Sequence, residues 1–283
     1  MKTLHVDTGR EMRGGQWQVL YLIERLPDDA VLLAPKGSGL FAAARQKGLD
    51  VRPLSFAALA RSARQADLVH AHDARAHTLA AVAGGAPLVV SRRVGFPVKS
   101  SIASRWKYAR AALYLAVSKF AAAKLKEAGV PESKIRVVYD GVPVPPPGRP
   151  HPRRVVALAS KPVEVPGIPI QLTTDLWQDL STASVFVYWS EMEGLGSAAL
   201  AAMACGVPVI ASRVGGLPEI IEHERTGLLI EKHQLAGALR RLLDDPAAAR
   251  EMGRRGRELV QEKFTVEAML AATLQAYGEI LSC

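Results

Sequence analysis

Apolar positions along the chain form short, continuous runs that alternate with longer segments of helical spacing. The runs at 30–34, 68–71 and 87–91 are mostly aliphatic, which predicts strands buried on both faces. Between such runs, segments like 16–25 and 74–83 carry apolar residues three and four positions apart, as amphipathic helices do. Strands that alternate with helices in this way predict an α/β fold with parallel, doubly wound sheets.

A proline-rich segment interrupts the alternation near the middle of the chain. Residues 143–152 contain six prolines and show no periodicity, so we expect a stiff linker there. Strand and helix patterns resume at 155–158 and continue into a helical C-terminal region. The predicted organisation is therefore an N-terminal domain at 1–143, a linker at 144–154 and a C-terminal domain at 155–283.

Composition narrows the class of protein. A formal charge of +9 on 283 residues favours anionic partners such as nucleic acid, an acidic membrane surface or phosphorylated ligands. The basic residues occur as scattered pairs without interleaved aromatic residues, so we do not expect nucleic acid as a partner. Only two cysteines are present, and neither a signal peptide nor a membrane-spanning run is visible. These features predict a cytoplasmic protein, with peripheral contact to an anionic membrane left open.

One loop combines a carboxylate with a potential phosphate site. The strand-like run at 185–189 precedes Glu193, and Gly194 and Gly196 allow close approach of the backbone to a ligand. A helix of small residues is predicted from Ser197, so its free N–H groups would point into the same loop. An acid beside a phosphate site suggests a ligand that carries both phosphate and hydroxyl groups, such as a sugar nucleotide.

Four motifs in this half of the chain resemble the donor-binding half of the retaining GT-B glycosyltransferases of family 4. They are Glu-Gly-Leu-Gly at 193–196, Ala-Met-Ala-Cys-Gly-Val-Pro-Val-Ile-Ala-Ser at 202–212, Gly-Gly-Leu-Pro-Glu-Ile-Ile at 215–221 and Thr-Gly-Leu-Leu at 226–229. The resemblance implies two Rossmann-like domains that face a cleft. It also implies a truncated second domain of about four strands and a last helix that crosses back onto the first domain.

The function implied by the resemblance is metal-independent sugar transfer with retention of configuration. The donor would be a nucleotide-diphosphate sugar, with no separate cofactor, and the acceptor a hydroxyl of a glycan or lipid-linked molecule in envelope polysaccharide or lipopolysaccharide synthesis. No Asp-x-Asp pair and no zinc-type Cys/His spacing occur in the sequence, so no metal site is expected.

The resemblance also assigns the donor-side residues. Glu193 would bind sugar hydroxyls as a catalytic residue, the alternative being an ordinary surface acid. The backbones of Gly194, Leu195 and Gly196 and the hydroxyl of Ser197 would contact the donor. Lys161 would bind the donor phosphates, although a solvated lysine is an open alternative.

Two further candidates lie in the N-terminal half. Gly14 and Gly15 would form a glycine loop that faces the donor, and a plain turn is the alternative. His72 would lie near the transferred sugar. His70 and His72 stand two positions apart on a strand, so a metal pair and a buried structural histidine both remain open at this point.

One position departs from the family pattern. The family has two glutamates eight positions apart, and Ala201 stands where the second is expected after Glu193. In the family that second glutamate holds the ribose of the nucleotide. The alternative reading is therefore a catalytically inactive binding or scaffold protein derived from the GT-B fold.

Overall fold

The computed structural model describes residues 1–26, 29–98, 101–159 and 163–282. The chain folds into two compact units. Unit 1 comprises Met1–Tyr139 and the C-terminal helix, and unit 2 comprises Asp140–Thr265. Both are layered α/β structures with parallel sheets, which confirms the predicted fold class.

The elements of unit 1 alternate as the apolar pattern predicted. Its described strands are β1 (Thr3–Val6), β2 (Ala30–Ala34), β3 (Val51–Pro53), β4 (Leu68–Ala71), β5 (Leu88–Arg92), β6 (Leu113–Ala116) and β7 (Ile135–Val137). Its described helices are α1 (Gly14–Ile23), α2 (Gly39–Gln46), α3 (Phe56–Ala63), α4 (Ala74–Ala83), α5 (Ile102–Ala109), α6 (Lys119–Glu127) and the last helix of the chain, α12 (Val266–Leu281).

The strand order in unit 1 creates a reversal point in the middle of the sheet. The order is β3-β2-β1-β4-β5-β6-β7, and every pairing is parallel. The chain thus runs outward from β1 to β3 and returns to place β4 beside β1. Open α/β sheets bind ligands beyond the carboxyl ends of the strands at such a point. Residues just after β1 and β4 are therefore the ones placed for function.

Unit 2 repeats the plan on a smaller scale. Its described strands are β8 (Val155–Ala159), β9 (Ile170–Leu172), β10 (Val185–Trp189), β11 (Val209–Ser212) and β12 (Gly227–Ile230). Its described helices are α7 (Leu176–Leu180), α8 (Ser197–Ala204), α9 (Leu217–Ile220), α10 (Leu235–Asp244) and α11 (Pro246–Lys263).

The sheet of unit 2 has five described strands in the order β12-β11-β10-β8-β9, where about four were expected. The additional strand is the edge strand β9, which is only three residues long and pairs in parallel with β8. Its sequence signal was weak because it is short and two prolines, Pro166 and Pro169, closely precede it. Here the chain reverses between β8 and β10, so residues after these two strands are the ones placed for ligand binding.

The last helix completes the hydrophobic core of unit 1. On α12, Val266, Met269, Ala276 and Tyr277 are buried and belong to the same apolar cluster as residues of α1, including Val19. Burial of such a face, rather than helix propensity, supplies most of the stability of a helix in a protein. Residues far apart in sequence thereby become part of one folding unit.

Candidate functional site

Glu193 lies in the loop that follows β10, and a half-buried tyrosine holds its side chain in place. The hydroxyl of Tyr188 donates a hydrogen bond to Oε2 of Glu193, and the N–H of Gly194 donates to Oε1 at 3.0 Å. Burial, and then the carboxylate of Glu193, raise the pKa of Tyr188. Tyr188 therefore stays a neutral donor, and the half-buried carboxylate is held at the carboxyl end of the strand.

The glycines of this loop serve close packing between two loops. A Cβ atom on Gly215, whose φ is +57°, would lie 1.8 Å from the carbonyl oxygen of Glu193, and one on Gly216 would lie 2.3 Å from that of Gly194. Gly196 has φ +108°, and its Cβ would lie 2.6 Å from Leu217. Only glycine is compatible with these contacts. Gly194, Leu195 and Gly196 are all buried, so the backbone of the loop is rigidly placed.

The N-terminus of α8 points toward the same loop. Gly196 is its N-cap, no described side chain caps it, and Ser197 is half-buried in the first turn. Free N–H groups at a helix start carry partial positive charge and bind anions well. The loop therefore combines a fixed carboxylate with an uncapped helix N-terminus, as the sequence predicted. Lys161, the expected phosphate-binding cation, lies outside the described residues.

Ala201 is fully buried one turn further along α8. The whole helix is composed of small and apolar residues, and seven of its eight residues are buried. Close packing by α11 is consistent with the small residues, because a Cβ on Gly256 of α11 would lie 3.4 Å from Cγ of Met203 on α8. No described carboxylate stands at the position where the family has its second glutamate.

In unit 1, the glycine pair forms part of a helix rather than a loop. Gly14 and Gly15 are the first two residues of α1, so the expectation of a glycine loop at this position is wrong. At the helix start, Oε1 of Gln16 accepts a hydrogen bond from the N–H of the N-cap Arg13 at 3.3 Å, and Nε2 of Gln16 donates to Oδ2 of Asp7 at 3.1 Å. These bonds stabilise the first turn and tie it to the residue that follows β1. The role proposed for the pair in donor binding stays a prediction.

His72 stands directly after β4 at the reversal point, and hydrogen bonds occupy both of its ring nitrogens. Nη1 of Arg93 lies 3.3 Å from Nδ1, and Nδ1 of His5 lies 2.9 Å from Nε2. Arginine can only donate, so Nδ1 of His72 accepts and its Nε2–H donates to His5. His5 in turn donates from Nε2 to Oγ1 of Thr3 at 3.2 Å. The proton positions along this chain of hydrogen bonds are thus determined.

A third histidine shares the same buried space. His70 pairs with His5 across the two strands; its Nδ1 lies 2.6 Å from the hydroxyl of Tyr277 on α12, and its Nε2 lies 2.8 Å from Oγ of Ser91. Burial, and then the charge of Arg93, lower the pKa of His5 to about 3. The pKa values of His70 and His72 are also well below the usual range, chiefly because of burial.

These three histidines have the spacing of a metal site. Their nitrogens lie within 4.8 Å of one another. However, a hydrogen-bond partner occupies each of the six ring nitrogens, and the cation of Arg93 adjoins His72. The arrangement therefore favours a closed network of neutral imidazoles over a metal centre.

Sequence reasoning missed several residues at this edge. Asp7 directly follows β1 and accepts a hydrogen bond from the N–H of Gly9 at 2.8 Å, and burial, followed by the charge of Asp73, raises its pKa. Asp73 caps α4 and accepts from the hydroxyl of Thr8 at 2.8 Å. Their positions in the sequence could have identified both aspartates, because each lies just after the carboxyl end of a predicted strand. His5 could have been found by pairing the strands at 4–6 and 68–71.

Comparison with known families identifies both halves of the chain. The model of Glycosyltransferase Family 4 matches residues 12–145, and the model of Glycosyl transferases group 1 matches residues 168–259. The predicted family is therefore confirmed. In the described part of the chain, no helix is both long enough and apolar enough to cross a bilayer.

Curated relatives match a limited segment. The alpha-maltose-1-phosphate synthase of Mycolicibacterium smegmatis is 42% identical over 110 residues, which are 36% of this chain and 28% of that protein. The N-acetyl-alpha-D-glucosaminyl L-malate synthase of Bacillus anthracis is 40% identical over 105 residues, again 36% and 28%. The match thus spans little more than a quarter of the length of these relatives.

A solved structure resembles the whole chain. The crystal structure of Anabaena Alr3699/HepE in complex with UDP-glucose covers 99% of this chain and 100% of its own, with a TM-score of 0.86 and 16% sequence identity. At this identity the likeness establishes the fold, and the predicted GT-B architecture is confirmed. The chain belongs to the family 4 glycosyltransferases, with a Glycosyltransferase Family 4 domain followed by a Glycosyl transferases group 1 domain.

Proposed function

We propose that this protein is a retaining, metal-independent glycosyltransferase. It takes a sugar from a nucleotide-diphosphate sugar and transfers it to an acceptor hydroxyl, in envelope polysaccharide or lipopolysaccharide synthesis. The observation that carries the proposal is the juxtaposition of Glu193, fixed by Tyr188, with the uncapped N-terminus of α8 at the reversal point of unit 2. Similarity in fold to a protein crystallised with UDP-glucose supports it.

The groups at this loop match the chemistry of such a donor. The diphosphate is anionic, and the helix N-terminus offers N–H donors and a positive dipole to it. Sugar hydroxyls donate well to a carboxylate, which Glu193 supplies. During transfer, the bond between the anomeric carbon and the diphosphate oxygen breaks, and the acceptor oxygen forms the new bond. The acceptor proton passes to the departing diphosphate, whose developing charge the helix N-terminus stabilises.

The acceptor and its location follow from charge. The net charge of +9 favours a lipid-linked or otherwise anionic glycan acceptor over a neutral one. We propose a cytoplasmic enzyme that contacts the anionic surface of a membrane peripherally to reach this acceptor.

A second candidate function is donor binding without turnover. Two observations favour it: Ala201 replaces the second family glutamate, and hydrogen bonds within the protein occupy both nitrogens of His72. A protein of this kind would bind a nucleotide sugar or glycan as a scaffold. The first candidate catalyses sugar transfer and the second does not, so a measurement of turnover distinguishes them.

The test uses a panel of UDP-, GDP-, ADP- and dTDP-sugars with purified protein. Release of the free nucleotide diphosphate is measured together with the thermal shift that each donor causes, with and without a chelator. Glu193→Gln removes the charge and keeps the size, and Glu262→Gln on the exposed face of α11 is the matched control. For an enzyme, we expect Glu193→Gln to reduce turnover by about 10²-fold and the control to match the wild type.

Each outcome has a distinct meaning. Turnover that the chelator leaves unchanged supports metal-independent transfer. A donor-specific thermal shift without turnover supports the binding protein instead. If no donor shifts the melting temperature and none is hydrolysed, both the transferase and the donor-binding scaffold fail.

A further inference from the structure

We propose that one exposed face of unit 1 docks on an anionic lipid bilayer. The face consists of Ile102, Trp106 and Ala109 on α5, flanked by Arg105 and Arg110 at the helix edges, and we call it the α5 face. The proposed function includes peripheral contact with an anionic membrane, and this proposal names the surface that makes the contact. It does not depend on the transfer reaction, since docking needs no donor.

The helix α5 exposes its large apolar side chains to solvent, unlike an ordinary surface helix. Ile102 is 87% exposed and Trp106 is 47% exposed, and none of the eight residues of α5 is buried. Because Ile102, Trp106 and Ala109 lie four and seven positions apart, they share one side of the helix. A soluble helix normally places such a side against the core. Here this side faces outward.

The opposite side of α5 attaches the helix to unit 1. Tyr108 stacks on Tyr114 with 5.5 Å between ring centroids, and the hydroxyl of Tyr114 donates to the carbonyl oxygen of Tyr108 at 2.8 Å. The carbonyl oxygen of Lys107 lies 3.2 Å from Nε2 of His77. The helix is therefore anchored by polar and aromatic contacts, and its apolar side is available to another surface.

Positive charge surrounds the apolar side. No described carboxylate forms an ion pair with Arg105 or Arg110, and the guanidinium of Arg110 lies 5.8 Å from the centroid of the Trp106 ring. In the sequence, residues 92–119 contain seven lysines and arginines and no aspartate or glutamate.

The combination of groups selects a bilayer over other anionic partners. Of the twelve large apolar side chains exposed in the described residues, four lie between positions 94 and 106, including Phe96 at 59% exposure. Nucleic acid would be matched by cations alone or by base-stacking aromatics in a groove. Tryptophan and aliphatic side chains with arginine beside them are instead typical of helices that lie in the interface of an anionic membrane.

The test is flotation of the full chain with vesicles, without donor or acceptor. Vesicles of phosphatidylcholine alone are compared with vesicles that also contain phosphatidylglycerol. One variant, Ile102→Ser with Trp106→Ser, removes the apolar part of the face, and another, Arg105→Gln with Arg110→Gln, removes its charge. Two exposed pairs elsewhere in unit 1 are the matched controls: Phe56→Ser with Val82→Ser, and Arg61→Gln with Arg64→Gln.

We expect the wild type and both controls to bind the anionic vesicles and both α5 variants to bind them about tenfold more weakly or less. Melting temperatures and circular dichroism verify that all variants fold. Equal binding of the α5 variants and the wild type would overturn the proposal, as would equal binding to the two vesicle types. Retention on heparin without flotation would also overturn it, by assigning the face to a soluble polyanion. Donor turnover is measured separately, so its failure does not affect this result.

Discussion

The Nε2–H group of His72 donates a hydrogen bond to Nδ1 of His5, 2.9 Å away. This bond joins the residue that directly follows β4 to a residue inside the sheet of unit 1. Both side chains are buried. Because Arg93 donates to the other nitrogen of His72 and His5 donates to Thr3, the neutral form and the proton positions of both rings are determined. The orientation of His72 therefore depends on a residue that lies on another strand.

Loss of His5 should leave this chain of hydrogen bonds broken at its centre. His5→Ala leaves the Nε2–H of His72 without an acceptor and opens a cavity in a closely packed sheet. We expect the free energy of unfolding to fall by about 2–4 kcal/mol. Urea unfolding at neutral pH measures this. Exposed His233→Ala is the control, and a change below about 0.5 kcal/mol for His5→Ala would contradict the network.

Acid should destabilise the protein through the same three histidines. Their pKa values are depressed in the folded state, to about 3 for His5, whereas an unfolded histidine has a pKa near 6.5. The unfolded chain therefore binds more protons below pH 6.5, and stability present above that pH is lost as the pH falls toward the folded-state values. Asp7, whose pKa is raised by burial and by Asp73, acts in the opposite direction.

The measurement is urea unfolding at several pH values between 7.5 and 5. Each neutral ring contributes a slope of up to about 1.4 kcal/mol per pH unit below pH 6.5. His70→Gln keeps a neutral side chain that can form hydrogen bonds and cannot titrate, so it should reduce the slope by about that amount. Stability that does not change over this range would show that the rings protonate in the folded state.

The sequence was sufficient to predict most of the fold, because buried parallel strands are nearly continuous apolar runs. The runs at 30–34, 68–71 and 185–189 matched their strands to within a residue. The edge strand β9 was underestimated because it has only three residues, mostly exposed, next to prolines. Gly14 and Gly15 were misplaced because hydrogen bonds of the Gln16 side chain, to the N–H of Arg13 and to Asp7, stabilise a first turn that the apolar pattern does not reveal.

Removal of the hydroxyl of Tyr277 should loosen the attachment of the C-terminal helix. That hydroxyl lies 2.6 Å from Nδ1 of His70, and both side chains are buried. Tyr277→Phe leaves one ring nitrogen unpaired with no change in packing, so we expect a loss of about 1–3 kcal/mol. The control Leu281→Ala, at an exposed position of the same helix, should have little effect.

Unfolding in urea tests this, and hydrogen exchange locates the effect. Amides of α12 should exchange faster in Tyr277→Phe than in the wild type, while those of unit 2 stay unchanged. If both regions accelerate equally, or neither does, the contact does not anchor the helix. Such a contact could not be predicted from sequence, since Tyr277 and His70 are separated by 207 positions and no sequence pattern links the two residues.

The candidate site was only partly predictable for the same reason. Glu193 and the start of α8 are adjacent in sequence, and strand, glycine and helix signals follow one another there. The partner of Glu193, Tyr188, was assigned only to a strand, because the alternation of side chains does not reveal which of them turns toward a later loop. The packing role of Gly215 and Gly216 could likewise not be predicted, since both residues contact the backbone of another loop.

Substitution of Gly215 should therefore disturb the loop that contains Glu193, although Gly215 lies outside that loop. A Cβ at this position would lie 1.8 Å from the carbonyl oxygen of Glu193, and the φ of +57° disfavours any side chain. Neither atom can yield without moving backbone, so we expect Gly215→Ala to cost about 2 kcal/mol or more and to abolish the thermal shift caused by a donor. Gly237→Ala on α10 is the matched control, because its Cβ would meet open space. There the same substitution should stabilise the protein by about 0.5–1 kcal/mol through better helix propensity, and donor binding should be unchanged. Similar unfolding curves and equal donor shifts for the two variants would mean that the loop around Glu193 tolerates displacement.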